Sequence, residues 1–247
     1  MDLKALVFPD VLPERELVLA ALAEVSASAD ALTRLKVGSS LQAAVAMNIE
    51  LAGAPVAPAH QVYTGVLFQG LDYEGLSPQE QDWADQNVLV SSGLFGLVRL
   101  SDCIPAYRLS MDVNLGVHHG TKIGGLASFW KKHLTPRFAD KAVAEVVVDC
   151  RSTSYVKSMA TDPKVSVQVD VFNTVGGQLK KISHHAKHYR GIVANRLIKR
   201  AAAGAQVKDL KQLLGLVQEE FPDYQVELLL SGKRNTPTTL ALILPEA

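Results

Sequence analysis

The stretch from Ser91 to Asp112, SSGLFGLVRLSDCIPAYRLSMD, restricts the fold most. Just before it, Val88, Leu89 and Val90 form a short apolar run that reads as a buried strand. Gly93 and Gly96 allow a tight turn, and Pro105 stops any helix and biases Ile104 towards an extended conformation. The segment after the strand is part apolar (Leu94, Phe95, Leu97, Val98) and part strongly polar (Arg99, Asp102, Tyr107, Arg108). A surface loop has no use for so many large apolar residues, and a core strand has no use for two arginines. Two readings stand side by side. In one, the loop is pinned into the core with its arginines at the mouth of a cleft. In the other, Arg99 or Arg108 pairs with Asp102 to hold the loop.

The chain has 247 residues, 48% hydrophobic, with zero formal net charge. That length suits one large domain or two small ones. No apolar run approaches the roughly 20 residues that a membrane span needs, and the opening MDLKALVFPD, interrupted by Pro9, does not read as a signal peptide. Cys103 and Cys150 make no disulfide framework and fit a reducing, cytoplasmic setting. The zero balance hides an uneven layout. No acid occurs from Val171 to Lys208, where Lys180, Lys181, Lys187, Arg190, Arg196, Lys199, Arg200 and Lys208 lie. Val113 to Ala139 is also acid-free and holds Lys122, Lys131, Lys132 and Arg137. A basic face on a neutral protein attracts polyanions, because binding follows the local potential.

Periodicity predicts helices over Pro13 to Val25, Ala31 to Leu35, Ser39 to Leu51, Leu126 to His133, Ala186 to Ala203 and Asp209 to Phe221. Ser77-Pro78-Gln79-Glu80 has the form of a capped helix start, running to about Asn87. Glu145 to Asp149, with three consecutive valines, reads as a central strand covered on both faces. Val165, Val167, Val169 and Val171 alternate with polar residues as in a half-buried strand, and Gly176-Gly177 turns it back through Leu179 to Ser183. Tyr224 to Leu230 and Thr238 to Leu244 read as a terminal hairpin. The expected fold is mixed α/β, α+β-like: one mixed sheet surrounded by helices, in one domain spanning residues 1–247 with a helical part over about 10–52. Lys36-Val37-Gly38-Ser39, between two short helices, resembles a helix-hairpin-helix, in which backbone N–H groups meet a phosphate. A plain two-helix corner has the same residues.

The chain resembles the YaaA family of peroxide-stress proteins, in an actinobacterial-like branch. Five pieces carry the likeness in order: Val62-Tyr63-Thr64-Gly65; Ser92-Gly93-Leu94-Phe95-Gly96-Leu97-Val98-Arg99; Ile104-Pro105-Ala106-Tyr107-Arg108-Leu109; Asp149-x-Arg151-Ser152-x-x-Tyr155; and Ser183-His184-x-x-Lys187-x-x-Arg190-Gly191. Members usually open with a strand and a polar loop of the Ser-Pro-Ala-Lys-Thr kind, which has no match here. The resemblance implies a cytoplasmic protein of the peroxide response, linked to lower free iron, with a mixed α/β fold, a basic cleft, a helix-hairpin-helix-like element and DNA as partner.

Two kinds of function fit these residues. The first is sequence-independent DNA binding, with phosphates gripped by Arg99, Arg108, Arg151, Ser152, Lys157, Lys187 and Arg190, and bases stacked on Tyr107, Tyr155, Trp130 or Tyr189. Lys187 and Arg190 lie one turn apart with no acid nearby in sequence, and Gly191 permits close backbone approach. The second is an enzyme acting on a small anionic or nucleotide-like substrate in the same cleft, with Lys187, Tyr155 and Asp149 as candidate catalytic groups. No P-loop, Rossmann glycine pattern or nucleophile elbow is present, so no cofactor is expected. His184 or His185 with His188 has helical ligand spacing, and His118-His119 is a second pair, but no partner Cys or carboxylate stands at ligand spacing, so no metal site is expected either. Cys150, beside Arg151, is the better of the two thiols as a redox sensor.

Overall fold

The structure is a computed structural model and describes residues 1–141, 145–182, 186–231 and 236–245. Its contacts gather into two compact units. The first comprises Met1–Tyr63, Val88–Asp140 and Thr153–Ala160; the second comprises Thr64–Asn87, Lys141–Ser152 and Thr161–Ala247.

The first unit is built on the Leu12–Ala27 helix, with Pro13 in its first turn as expected. Its inner face carries Arg15, Val18, Leu22 and Val25, the three- and four-residue spacing of one helix stripe. The Leu89–Ser92 strand pairs antiparallel with Gly96–Arg99. Leu94, Phe95, Leu97 and Val98, on and just before the return strand, are buried to 2% exposure or less. Gly96 has φ +76°, and a Cβ there would meet the Trp130 ring at 2.8 Å, so glycine is required twice over. Trp130 is fully buried and donates its Nε1–H to the Gly93 carbonyl at 2.8 Å. It is therefore a core residue and offers no face to a base. Its helix, Leu126–Lys141, continues beyond the expected end at His133, with Pro136 inside it. Two further antiparallel pairs complete this unit, Val56–Pro58 with Cys103–Pro105 and Val117–His118 with Thr121–Lys122.

The second unit holds a five-stranded mixed sheet. The Thr238–Ile243 strand lies between Gln225–Leu229, antiparallel, and Ser166–Val175, parallel. Val147–Asp149 pairs parallel with Ser166–Val175, and Gln178–Lys181 returns antiparallel through Gly176-Gly177. The terminal hairpin and the Gly-Gly hairpin stand as expected. The triple-valine run does not. It ends the sheet order, and Val146 to Val148 are only half-buried. The central position belongs to Ser166–Val175, whose Val167, Val169 and Val171 are fully buried. Its alternation suggests a wet face, yet Ser166 and Asp170 are buried as well. Both are satisfied: Ser166 donates to the Asp162 carbonyl at 2.6 Å, and Asp170 binds Lys181 and Arg190. The Ala186–Ala202 and Leu210–Glu220 helices pack on this sheet, through Val193 and through Leu213 and Val217.

The Pro78–Asn87 helix begins in a capping box, with the Ser77 N–H donating to Glu80 at 2.7 Å and the Glu80 N–H to Ser77 Oγ at 3.4 Å. The Val66–Leu71 helix crosses Ala186–Ala202 at glycine-limited distance. A Cβ on Gly191 would lie 2.0 Å from the Leu67 carbonyl oxygen, and one on Gly70 would lie 2.2 Å from that of His188. Asn195 fixes the crossing by donating to the Leu71 carbonyl at 2.7 Å. The close approach that Gly191 permits is thus taken by another helix. Gly191→Ala should cost about 1–3 kcal/mol through forced separation of the two backbones. Gly215→Ala should instead stabilise by about 0.5–1 kcal/mol, since a Cβ at this position of the Leu210–Glu220 helix would meet nothing within 4 Å. Paired urea melts measure both, and a neutral Gly191→Ala would refute the crossing.

Candidate functional site

In the first unit the polar residues of the opening stretch are organised by the Leu89–Ser92/Gly96–Arg99 hairpin. Asp102 holds the turn after it, accepting the Arg99 backbone N–H at 2.9 Å and the Val7 N–H at 3.1 Å. The loop is therefore fixed through Arg99's backbone, while the Arg99 side chain is exposed. Tyr107 reaches back to the hairpin: its hydroxyl lies 2.7 Å from Ser92 Oγ and 3.0 Å from the Tyr63 hydroxyl. Ser92 Oγ also accepts the Phe95 N–H at 3.0 Å, and Tyr107 packs edge-on against Phe95 and Tyr63. A third segment joins through Ser158, whose Oγ is 3.1 Å from Ser91 Oγ. This brings in Tyr155, half-buried, and Lys157, exposed. Arg108 is exposed too, but both polar groups of its backbone are bound by the Asn48 carboxamide at 2.9 Å.

Burial pushes the Tyr63 phenol up to about 12, against which its bonds to Ser92 and Tyr107 work. Burial also raises the Tyr107 phenol well above its usual value, reinforced by the neighbouring Tyr63. Both stay protonated at neutral pH and serve as hydrogen-bond donors, not as bases.

In the second unit the Val147–Asp149 strand delivers Asp149, Cys150, Arg151 and the half-buried Ser152. Asp149 is buried and takes the Arg151 guanidinium in a fork, Nε at 2.8 Å and Nη2 at 2.7 Å, along with the Arg151 N–H at 3.0 Å. The planar fork that suits an oxyanion is occupied by this carboxylate. Burial, with Asp149 adding to it, pushes the Cys150 thiol up to about 12, which disfavours the thiolate that a redox sensor needs. Cys103 is exposed.

Arg190 and Lys187 part company. Lys187 is exposed on the Ala186–Ala202 helix. Arg190 is buried at 5% exposure, donates to the Val169 carbonyl at 2.8 Å and is ion-paired with Asp170, which Lys181 also binds at 2.6 Å. Further along, Arg196 and Arg200 meet Glu220, and Arg200 also meets Glu219. A segment without acids in sequence thus has its acids supplied by other elements.

The Lys36–Ser39 link closes a helix. Lys36 sits at φ +57°, its N–H donates to the Thr33 carbonyl at 3.1 Å, and the Val37 N–H donates to the Leu32 carbonyl at 3.0 Å. Both N–H groups are turned back onto the preceding helix in a Schellman arrangement. Lys36 Nζ donates to the Asp112 carbonyl at 2.7 Å. Ser183, His184 and His185 lie outside the described residues. Among the described residues no three His, Cys, Asp or Glu side chains are grouped to hold a metal ion, and His118 is bound to Glu24. No helix among them is long and apolar enough to cross a membrane.

Sequence reasoning overlooked Arg15, Asn48 and Asp170. For Arg15 a signal existed, since it occupies a core position of the periodic stripe at 15, 18, 22 and 25. Asn48 and Asp170 gave none, because their partners lie 60 and 20 residues away.

A family model described as peroxide stress protein YaaA matches residues 3–224. The chain is 30% identical over 245 residues to a UPF0246 protein of Streptomyces coelicolor, which covers 98% of this chain and 90% of that protein. It is 32% identical over 223 residues to one of Corynebacterium efficiens, covering 89% and 87%. It is 35% identical over 169 residues to one of Ruegeria pomeroyi, covering 64% of each chain. The chain belongs to the YaaA family of peroxide-stress proteins.

The raised groups carry a pH dependence. In the unfolded chain the thiol and phenols ionise near 9 and 10, whereas folded Cys150 and Tyr63 hold their protons to about 12. Between these values the unfolded state binds fewer protons, so stability should fall as pH rises from about 9 to 12. Chemical denaturation at stepped alkaline pH measures the loss. In native protein at pH 8, iodoacetamide should label Cys103 and spare Cys150; prompt labelling of Cys150 would contradict its placement.

Proposed function

We propose that this is a cytoplasmic peroxide-stress protein that binds DNA without sequence preference, through phosphate contacts. The observation that carries the reading is the fate of the cations. Arg99, Arg108 and Lys157 are exposed, have no carboxylate partner among the described residues, and lie on or next to segments hydrogen-bonded to one hairpin. The buried or semi-buried cations of the acid-poor region, Arg190 and Arg200, are by contrast neutralised. Exposed cations on a rigid support supply the salt-dependent phosphate term. Tyr155, half-buried, is the aromatic surface in this reading, whereas the Tyr107 ring is packed against Phe95 and Tyr63. Lys187, exposed in the second unit, is a further phosphate contact in this reading. The enzyme alternative gains no support from the phenols, which stay protonated, or from Arg151, whose fork Asp149 holds.

Anisotropy of a labelled mixed-sequence duplex over a salt series tests this. The wild type should bind at low salt, and removing Arg99, Arg108 and Lys157 together should reduce the log–log salt slope by about 2.7, at roughly 0.9 per phosphate on B-DNA. Arg196→Ala with Arg200→Ala should change it little. Arg190→Ala should act on stability instead, by about 1–3 kcal/mol, because it leaves the Val169 carbonyl without its side-chain donor and Asp170 with Lys181 alone. No wild-type binding at low salt ends the DNA reading; equal losses in both sets would mean a diffuse basic surface.

A further inference from the structure

Arg108 has its side chain in water while both polar groups of its backbone are held. Asn48 causes this. It is fully buried, and its carboxamide faces the Arg108 peptide as a neighbouring strand would. Its Oδ1 accepts the Arg108 N–H at 2.9 Å, and its Nδ2 donates to the Arg108 carbonyl at 2.9 Å. Nδ2 also donates to Ser26 Oγ at 3.2 Å on the Leu12–Ala27 helix, which fixes the plane of the amide. Both residues beside Arg108 are anchored independently, Tyr107 by its bonds to Ser92 and Tyr63, and Leu109 by burial at 6% exposure. A buried side-chain amide with all its bonds satisfied is a demanding device, since any partner lost leaves a desolvated polar group. Here it holds the peptide of an arginine with no carboxylate partner among the described residues.

We propose that Asn48 is a positioning residue that presets Arg108 for a phosphodiester oxygen. This rests on the DNA reading above. Holding the backbone at both polar groups leaves only the side chain to be ordered on binding, which lowers the entropic cost of each phosphate contact. Asn48 touches no ligand; it acts entirely through Arg108.

The experiment is a double-mutant cycle on the full chain, with Asn48→Ala, Arg108→Ala and both together, read by anisotropy of a labelled mixed-sequence duplex across a salt series. Amide hydrogen exchange on the unliganded wild type accompanies it and does not depend on any variant folding. Arg108→Ala should remove about 0.9 from the salt slope. Asn48→Ala should weaken binding by a comparable factor, and in the Arg108→Ala background it should weaken binding by less than about two-fold, the limit within which independent sites add. The Arg108 amide should exchange as slowly as the buried Gly96–Arg99 strand. If wild type binds but Asn48→Ala weakens binding equally with and without Arg108, or if Arg108→Ala has no effect, the positioning role is wrong while the DNA reading survives. Rapid exchange of the Arg108 amide also overturns it. If wild type fails to bind at low salt, the DNA reading falls and the inference falls with it.

Discussion

The first unit depends on one buried guanidinium. Arg15 is completely shielded from solvent and donates to five backbone carbonyls: Phe95 at 2.9 Å, Leu97 at 3.0 Å, Val7 at 2.5 Å, Phe8 at 3.3 Å and Leu3 at 3.4 Å. Burial lowers its pKa to about 10, with Asp102 and Glu14 working in the opposite direction, so it stays charged at neutral pH. A buried charge of this kind is tolerated only where all its donors are used. Here the five donors draw the N-terminal segment and the central hairpin onto the same helix. That hairpin is what holds Tyr107, Ser158 and Asp102, and through them the exposed cations. The candidate site is assembled on a scaffold that a single side chain closes.

The second unit solves a similar problem with Asp170. This carboxylate sits in the central strand of the sheet and gathers Arg190 from the helix packed on it and Lys181 from the returning hairpin strand. Together with the glycine crossing at Gly70 and Gly191, it fixes the long basic helix by specific groups as well as by apolar packing. The conspicuous run of cations in this region therefore divides. Some cations hold the fold together and a few face water, and the physical difference is whether a carboxylate from another element reaches them.

This division bears on how charge is read along a chain. An acid-free stretch of nearly forty residues invites the picture of an unneutralised face. Yet Arg190, Arg196 and Arg200 meet Asp170, Glu219 and Glu220, all outside that stretch. Local composition sets the potential only where tertiary contacts bring no counter-charge. By the same logic Asp149, by residue type a candidate base, is the partner of the arginine two residues on.

Much of what has a local cause was legible in the sequence. The capped start at Ser77, the Gly176-Gly177 turn, the terminal hairpin, the long basic helix and the burial of Leu94, Phe95, Leu97 and Val98 follow from period, turn chemistry and apolar content within short windows. The mixed α/β class and the family could be read for the same reason, since the motifs lie intact in order. Tertiary structure alone decided which valine strand is central, because Val146 to Val148 and Val167 to Val171 are both valine-rich and only the pairing order separates them. It also decided which cations are free, that Trp130 and Gly191 serve packing, and that Asn48 and Arg15 hold distant backbones. Each of these turns on a partner many residues away, and a hydrogen bond or ion pair between such residues leaves no trace in the pattern of either segment alone.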